Sequence, residues 1–293
     1  MRVALTGATG FIGSHIRQEL VDNGHEVIAL VPSDEQANAL AAPGVSPVMV
    51  DLYDKAAVVA LLGDADGAVN TASPGDDTSA AFDSAVVEAA IEAFDGTGKP
   101  YLHISGAWIY GANAHITEAS PYNAPAMVAW REAVAMRLLS ATGLRGVVIV
   151  SGVAFGDGGG GIPGLLMASP KDDDGNLIML GSGQQHWASV HAADLAAFFR
   201  RALEDDSARG YYVISDGRHP TVAEITEAAA TVVGAPGAVP GSDEEARSRL
   251  GDYFAEVLLL DQGTDPGRAA ELGWSPSRPG LVEEFRAGSY RGS

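Results

Sequence analysis

Eight residues close to the N-terminus, Thr6-Gly7-Ala8-Thr9-Gly10-Phe11-Ile12-Gly13, restrict this chain more than any other feature. A short apolar run, Arg2 to Leu5, leads into them, and an amphipathic pattern from Phe11 to Asp22 leads out. The order is therefore strand, tight turn, helix. In such a turn the first glycine permits the sharp reversal and the second lets backbone approach a pyrophosphate. The third lets helix and strand pack closely, while the unpaired N–H groups of the helix start face the phosphate. Thr6, Gly7, Thr9, Gly10, Phe11, Ile12 and Gly13 are accordingly candidate dinucleotide contacts.

The same alternation continues behind the turn. Strands are predicted at Arg2 to Leu5, Glu26 to Val31, Pro47 to Val50, Gly67 to Asn70, Tyr101 to Ile104 and Gly146 to Val150. Helices are predicted near Phe11 to Asp22, Lys55 to Leu62, Ser79 to Phe94 and Ala126 to Ala141. This pattern specifies an α/β chain with a Rossmann-type doubly wound parallel sheet. That domain is expected over residues 1–155. The run Gly156-Asp157-Gly158-Gly159-Gly160-Gly161 then opens a stretch through Gly183 that reads as irregular, either a linker or a mobile loop. Residues 186–215 return to a βα pattern, and 156–293 otherwise form a smaller C-terminal lobe. There is no internal repeat.

Charge and composition remove several function classes. With 38 acidic against 18 basic residues the net charge is -20, which repels a phosphate backbone and argues against nucleic acid as a partner. No apolar run approaches the roughly 20 residues that cross a bilayer, so no membrane association is expected and the cytoplasm is the expected location. The absence of cysteine excludes disulfides, thiolate catalysis and cysteine-based zinc sites, and no metal site is expected.

The ribose end of the cofactor site is less conventional. An acidic residue usually ends the second strand of an NAD-specific domain, whereas this strand ends Leu30-Val31-Pro32-Ser33, with Asp34 and Glu35 only later. Pro32 has no side-chain polar group, and Ser33 can bond a ribose hydroxyl or a 2′-phosphate. NAD and NADP both stay open, with a lean to NADP. Asp51-Leu52 is placed to meet the adenine, although a helix cap accounts for Asp51 equally well.

These residues, with Asn70-Thr71-Ala72-Ser73, Ile104-Ser105-Gly106-Ala107-Trp108-Ile109-Tyr110-Gly111, Ser151-Gly152-Val153-Ala154-Phe155-Gly156, Val190-His191-Ala192-Ala193-Asp194-Leu195-Ala196 and Leu272-Gly273-Trp274-Ser275-Pro276, make the chain resemble the extended and atypical short-chain dehydrogenase/reductase family of epimerase and dehydratase relatives. The resemblance spans nearly the whole chain. It implies a bound NAD(P), further cofactor contacts at Thr71, Ala72 and Ser73, and a substrate-binding C-terminal lobe for a small molecule. It also implies a homodimer through the helices near 79–94 and 126–141.

The family's chemistry rests on a Tyr-x-x-x-Lys pair, which this chain lacks. Its lysines are Lys55, Lys99 and Lys171, none four residues after a tyrosine. Alignment puts Met127 at the tyrosine position and Arg131 at the lysine position; methionine cannot transfer a proton. Gly106 occupies the companion serine's position, with Ser105 beside it, and Asp83 falls where the family often has asparagine. Tyr110 is the first candidate for a replacement acid and Tyr122 the second, with His115 and His186 behind them. Arg131 is a candidate anchor for the nicotinamide ribose or for developing negative charge. Trp108, Trp130 and Trp187 are expected along the cleft, residues 156–185 as a lid over it, and His191 and Asp194 in structural roles. The leading expectation is an atypical NAD(P)-dependent oxidoreductase with a non-standard proton donor. The alternatives are a repurposed non-redox cyclase or isomerase and a non-catalytic cofactor-sensing protein.

Overall fold

The apolar runs become strands because both of their faces are covered. In the computed structural model, which describes residues 1–265 and 267–291, a seven-stranded sheet forms from β1 (Arg2–Thr6), β2 (Glu26–Val31), β3 (Val45–Met49), β4 (Gly67–Asn70), β5 (Pro100–Gly106), β7 (Arg145–Ser151) and β11 (Gly210–Ile214). Every pairing is parallel, in the order β11-β7-β5-β4-β1-β2-β3. The chain winds outward through β2 and β3, then crosses back to β4, so β1 and β4 flank the switch point where ligands of such sheets lie.

Alternation along each strand divides the core in two. Val3, Leu5, Val27, Ala29, Leu102, Val147 and Ile149 pack beneath α1 (Phe11–Asp22), α2 (Asp34–Leu40) and α7 (Ala192–Glu204). Ala4, Ile28, Leu30, Ala68, Val148, Val150 and Val213 pack beneath α3 (Lys55–Gly63), α4 (Ser79–Phe94) and α5 (Trp130–Ser140). A sheet covered on both faces needs nearly continuous apolar strands, and these have them.

The second lobe carries its own core. Strand β6 (Asn113–Ile116) pairs with β13 (Gln262–Thr264), β8 (Val153–Phe155) with β10 (Ser189–His191), and β9 (Leu177–Ile178) with β12 (Ala238–Val239). Around them lie α6 (Gly161–Met167), α8 (Val222–Val232), α9 (Asp243–Leu250), α10 (Asp252–Leu258) and α12 (Leu281–Ala287), whereas α11 (Arg268–Glu271) packs on β11 with Ala269 in the main core. Between these pieces the chain returns to the main sheet, since α7 packs on α1 and β11 pairs with β7.

Three expectations change. Strand β3 begins two residues earlier than expected and contains Pro47, which is tolerated because β3 is an edge strand with β2 as its sole partner. The expected helix from Ala126 to Ala141 is a short 3-10 turn, Ala126–Val128, followed by α5. The stretch from 156 to 185, expected as irregular and lid-like, contains α6 and β9, and Leu166, Leu177 and Leu180 are fully buried in the lobe's core. Its glycines take positive φ at Gly156, Gly158 and Gly160, so they shape a folded turn. Among the described residues, no helix is long and apolar enough to cross a membrane.

Candidate active site

The loop after β1 closes on the loop after β4 with no space for side chains. A Cβ on Gly7, whose φ is +78°, would lie 2.6 Å from the Ala72 amide nitrogen; one on Gly13 would lie 2.0 Å from the Gly7 carbonyl oxygen. Thr71 donates its hydroxyl to the Thr6 carbonyl at 2.9 Å, and the Gly10 N–H donates to the Gly7 carbonyl at 2.9 Å. Thr6, Gly7, Gly10, Gly13, Thr71 and Ala72 are thus brought together at the switch point, and Ser73 lies just beyond, exposed. A cradle this bare fits a dinucleotide, whose pyrophosphate would meet the start of α1.

The ribose end is organised by α2. Ser33 caps that helix, accepting from the Gln36 N–H at 3.3 Å, and Thr9 donates to Gln36 Oε1 at 3.2 Å. In that cap Ser33 acts as an acceptor. Asp51 does not cap a helix: it accepts from the Tyr53 N–H in a turn, and Asp54 caps α3 by accepting from the Ala57 N–H. Leu52 packs against the core on that side.

Phe11 and Ile12 open α1, half-buried. Against the Phe11 ring lies Gly159, where an added Cβ would come within 2.6 Å. One turn on, His15 bonds the Phe11 carbonyl through Nδ1 at 2.8 Å and Asp157 through Nε2 at 2.9 Å. The glycine-rich segment therefore seats directly on the cofactor helix. From its other side Ser289 accepts from the Gly158 N–H, and the Tyr290 hydroxyl reaches the backbone of Gly156 and Gly159.

Beneath the cradle, on the α4 side of the sheet, is a buried polar set that sequence reasoning missed. The Thr6 hydroxyl donates to Asn70 Oδ1, the Asn70 amide faces His103 Nδ1 at 3.3 Å, and His103 Nε2 faces the Asp83 carboxylate at 3.3 Å. An amide donor at Nδ1 leaves the imidazole proton on Nε2, aimed at Asp83. Tyr101, His103 and Ser105 alternate along β5, so all three side chains point to this face. Polar groups at i, i+2 and i+4 of a buried strand were the signal available in the sequence. Ser105 is consequently turned away from the Gly106 side; its hydroxyl and that of Tyr101 are buried without a hydrogen-bond partner among the described residues. A Cβ at Gly106 would meet nothing closer than the Ser151 carbonyl oxygen at 4.0 Å.

Arg131, the candidate at the lysine position, starts α5 half-buried with its guanidinium over the Trp130 ring at 4.7 Å and Nη1 donating to the Ile104 carbonyl at 3.4 Å. Burial lowers its pKa, and the neighbouring Asp83 and Tyr122 oppose that shift. Arginine remains a cation under such conditions. Met127 is exposed on the preceding 3-10 turn, against which α10 packs, and Trp108 meets Phe254 of α10 edge to face at 6.3 Å.

The two tyrosine candidates lie together, in a cluster with Tyr211. Tyr110 is 2% exposed with its ring centroid 5.8 Å from that of Tyr122, and the Tyr122 hydroxyl donates to the Tyr211 hydroxyl at 2.9 Å. Burial, reinforced by Tyr211, raises both phenol pKa values well above the usual range, so both stay protonated. The histidine candidates are elsewhere: His115 pairs with Asp265 and His186 with Asp261, beside β6 and β13. Trp187 is buried, its indole donating to the Leu258 carbonyl, and does not line the cleft. His191 caps α7, and Asp194 accepts from the Ser277 and Arg278 backbone, structural roles for both.

Known proteins share this architecture. An uncharacterised protein of Schizosaccharomyces pombe is 28% identical over 298 residues, covering 99% of this chain and 100% of its own. The epimerase family protein SDR39U1 of Bos taurus is 27% identical, covering 96% and 97%. Among solved structures, human SDR39U1 (isoform 2) with NADPH superposes with a TM-score of 0.75 at 22% identity, over 99% of each chain. Thermus thermophilus UDP-glucose 4-epimerase in complex with NAD superposes with a TM-score of 0.73 at 22% identity, over 100% of each. The model of the NAD dependent epimerase/dehydratase family matches residues 3–215, and the chain belongs to that family.

Proposed function

We propose that this chain is an NAD(P)-dependent oxidoreductase for a small metabolite, working in the cytoplasm with NADP(H) preferred and without a Tyr–Lys proton donor. The observation that carries the proposal is the bare cradle of Gly7 and Gly13, in which an added Cβ would strike backbone at 2.6 and 2.0 Å. Glycine at these positions lets the loop after β1, the loop after β4 and the start of α1 close on one another, the packing that sets a helix N-terminus against a pyrophosphate. When bound, the nicotinamide supplies or takes the hydride. Arg131 stands at the lysine position as a fixed cation, holding the nicotinamide ribose or negative charge developing on the substrate. Structures of this fold are solved with NADPH and with NAD alike, so the lean to NADP(H) rests on Pro32 and Ser33 at the end of the second strand.

Proton delivery narrows the substrate. Met127 has no proton to give, and Tyr122 spends its own within the tyrosine cluster. Reduction of an imine or an activated alkene leaves a group that water or a weak donor can protonate, which suits this cleft better than an unactivated ketone. Self-association through α4 and α5 belongs to the same proposal. Their outer faces border a groove of about 210 Å³ lined by residues including Ala80, Val87, Trp130 and Val134.

Calorimetric titration with NADH and NADPH, followed by turnover on carbonyl, imine and activated-alkene panels, tests the proposal. Binding of at least one reduced cofactor with consumption of it on a substrate is expected; failure to bind either below millimolar concentration would sink it. The replacement of the acid by Met127 and of the serine by Gly106 favours one rival, a non-redox cyclase or isomerase. Turnover with no net change in nicotinamide would establish that rival instead.

A further inference from the structure

We propose that Arg17 reads the adenosine 2′-phosphate of the cofactor and sets the preference for NADP(H); the inference rests on the cofactor function proposed above. Residues advance about 100° per position around a helix, so His15 and Arg17 lie about 200° apart on α1. His15 faces the second lobe through Asp157. Arg17 therefore faces the opposite flank, where Nη1 donates to the Ala8 carbonyl at 3.2 Å. Ala8 adjoins Thr9, whose hydroxyl reaches Gln36 in the first turn of α2, and Gln36 is in turn held by Ser33 at the end of β2. The guanidinium thus borders the bridge that joins the glycine loop to the ribose-facing end of β2.

Charge singles out the same residue. Between Val3 and Asp54 the chain has seven Asp and Glu residues, and Arg17 is the one Lys or Arg. Among the described residues it forms no ion pair, whereas Glu19 on the same helix is taken by Arg200 at 2.7 Å. A guanidinium has five N–H donors in a fork that matches phosphate, and the Ala8 carbonyl engages one of its nitrogens. In a protein of net charge -20, a lone cation left unpaired beside the ribose end is available to an anion brought by the ligand. Asp34 and Glu35, both exposed in the first turn of α2, oppose that anion and give the experiment its alternative outcome.

The test is calorimetry of wild type, Arg17→Gln and Arg17→Lys against adenosine 2′,5′-bisphosphate and AMP, and against NADPH and NADH. Glutamine keeps a donor for the Ala8 carbonyl and removes the charge, and a thermal melt checks that each variant is folded. Arg17→Gln is expected to weaken the two 2′-phosphorylated ligands about tenfold while AMP and NADH stay within about twofold, with Arg17→Lys in between. Equal loss for all four ligands would assign Arg17 to loop structure, and a wild type that binds AMP and NADH as well as their phosphorylated counterparts would show that the acids prevail; either overturns the assignment alone. A wild type that binds no nicotinamide cofactor overturns the proposed function together with it.

Discussion

Where β1 and β4 end, the candidate site is built of backbone; where β5 ends and α5 begins, it is built of side chains, and no tyrosine of the sequence is followed four residues later by a lysine. Gly7, Gly13, Thr71 and Ala72 interlock so closely that a single methyl group would collide with a carbonyl or an amide. Met127, Arg131 and Gly106, which the sequence reading expects at the tyrosine, lysine and serine positions, are accommodated by the surrounding fold. A backbone-built site cannot drift one residue at a time, because each change is a steric collision. A site built of side chains can lose its chemistry while the scaffold stays intact.

The buried polar set joins the two halves, and breaking it gives the largest effect. Asp83→Ala removes the acceptor facing His103 Nε2 at 3.3 Å and the carboxylate near Arg131. Both partners are almost fully buried, so the stranded donors are expected to cost about 3 to 5 kcal/mol of stability in urea unfolding. If Asp83→Ala instead unfolds like wild type and loses turnover, the set belongs to the chemical half and not to the scaffold.

The contrast between the halves is sharpened by two small substitutions. Gly13→Ala places a Cβ against the Gly7 carbonyl, and the repacking is expected to cost about 1 to 3 kcal/mol and to abolish cofactor binding. Gly106→Ser places a side chain in open space and is expected to change stability by less than about 0.5 kcal/mol with cofactor affinity retained. Paired melts and titrations of the two variants would read both. Equal damage from both would erase the distinction between a backbone-built and a side-chain-built half.

Legibility in the sequence follows the same division. The bounds of α1, α4, β2 and β4 coincide with the apolar runs and glycine turns that announce them, since both are local patterns. Helix α2 was hidden because Asp34–Leu40 buries one residue, Leu40, and shows no apolar face. Helix α6 was hidden because glycines read as irregular until a core forms around Leu166. What escaped are pairings between residues remote in sequence: Thr6 with Asn70, Asn70 with His103, Tyr122 with Tyr211 and His15 with Asp157. No local pattern encodes such pairs. Ser105 was a matter of parity, because one step along a strand exchanges the cleft for the core.

The smallest effect tests whether the second lobe takes part in holding the cofactor. Asp157 is the one described non-glycine residue with positive φ, 51°, and from there it reaches His15 on α1. It is more than half exposed, so the pair is expected to contribute about 0.5 kcal/mol or less to stability. Its worth lies in position, since the same segment packs Gly159 on Phe11 at the mouth of the cradle. Asp157→Asn keeps a residue tolerant of the left-handed backbone and removes the charge; Asp157→Gly frees the backbone as well. If the contact holds the lobe against the loop, both variants should release NADPH faster in stopped-flow measurements, by about two- to threefold for a contact of this size, with melting little changed. Faster release from the glycine variant alone would assign the effect to the turn's shape, and unchanged release from both would leave the cofactor held by the β1 and β4 loops without help from the lobe.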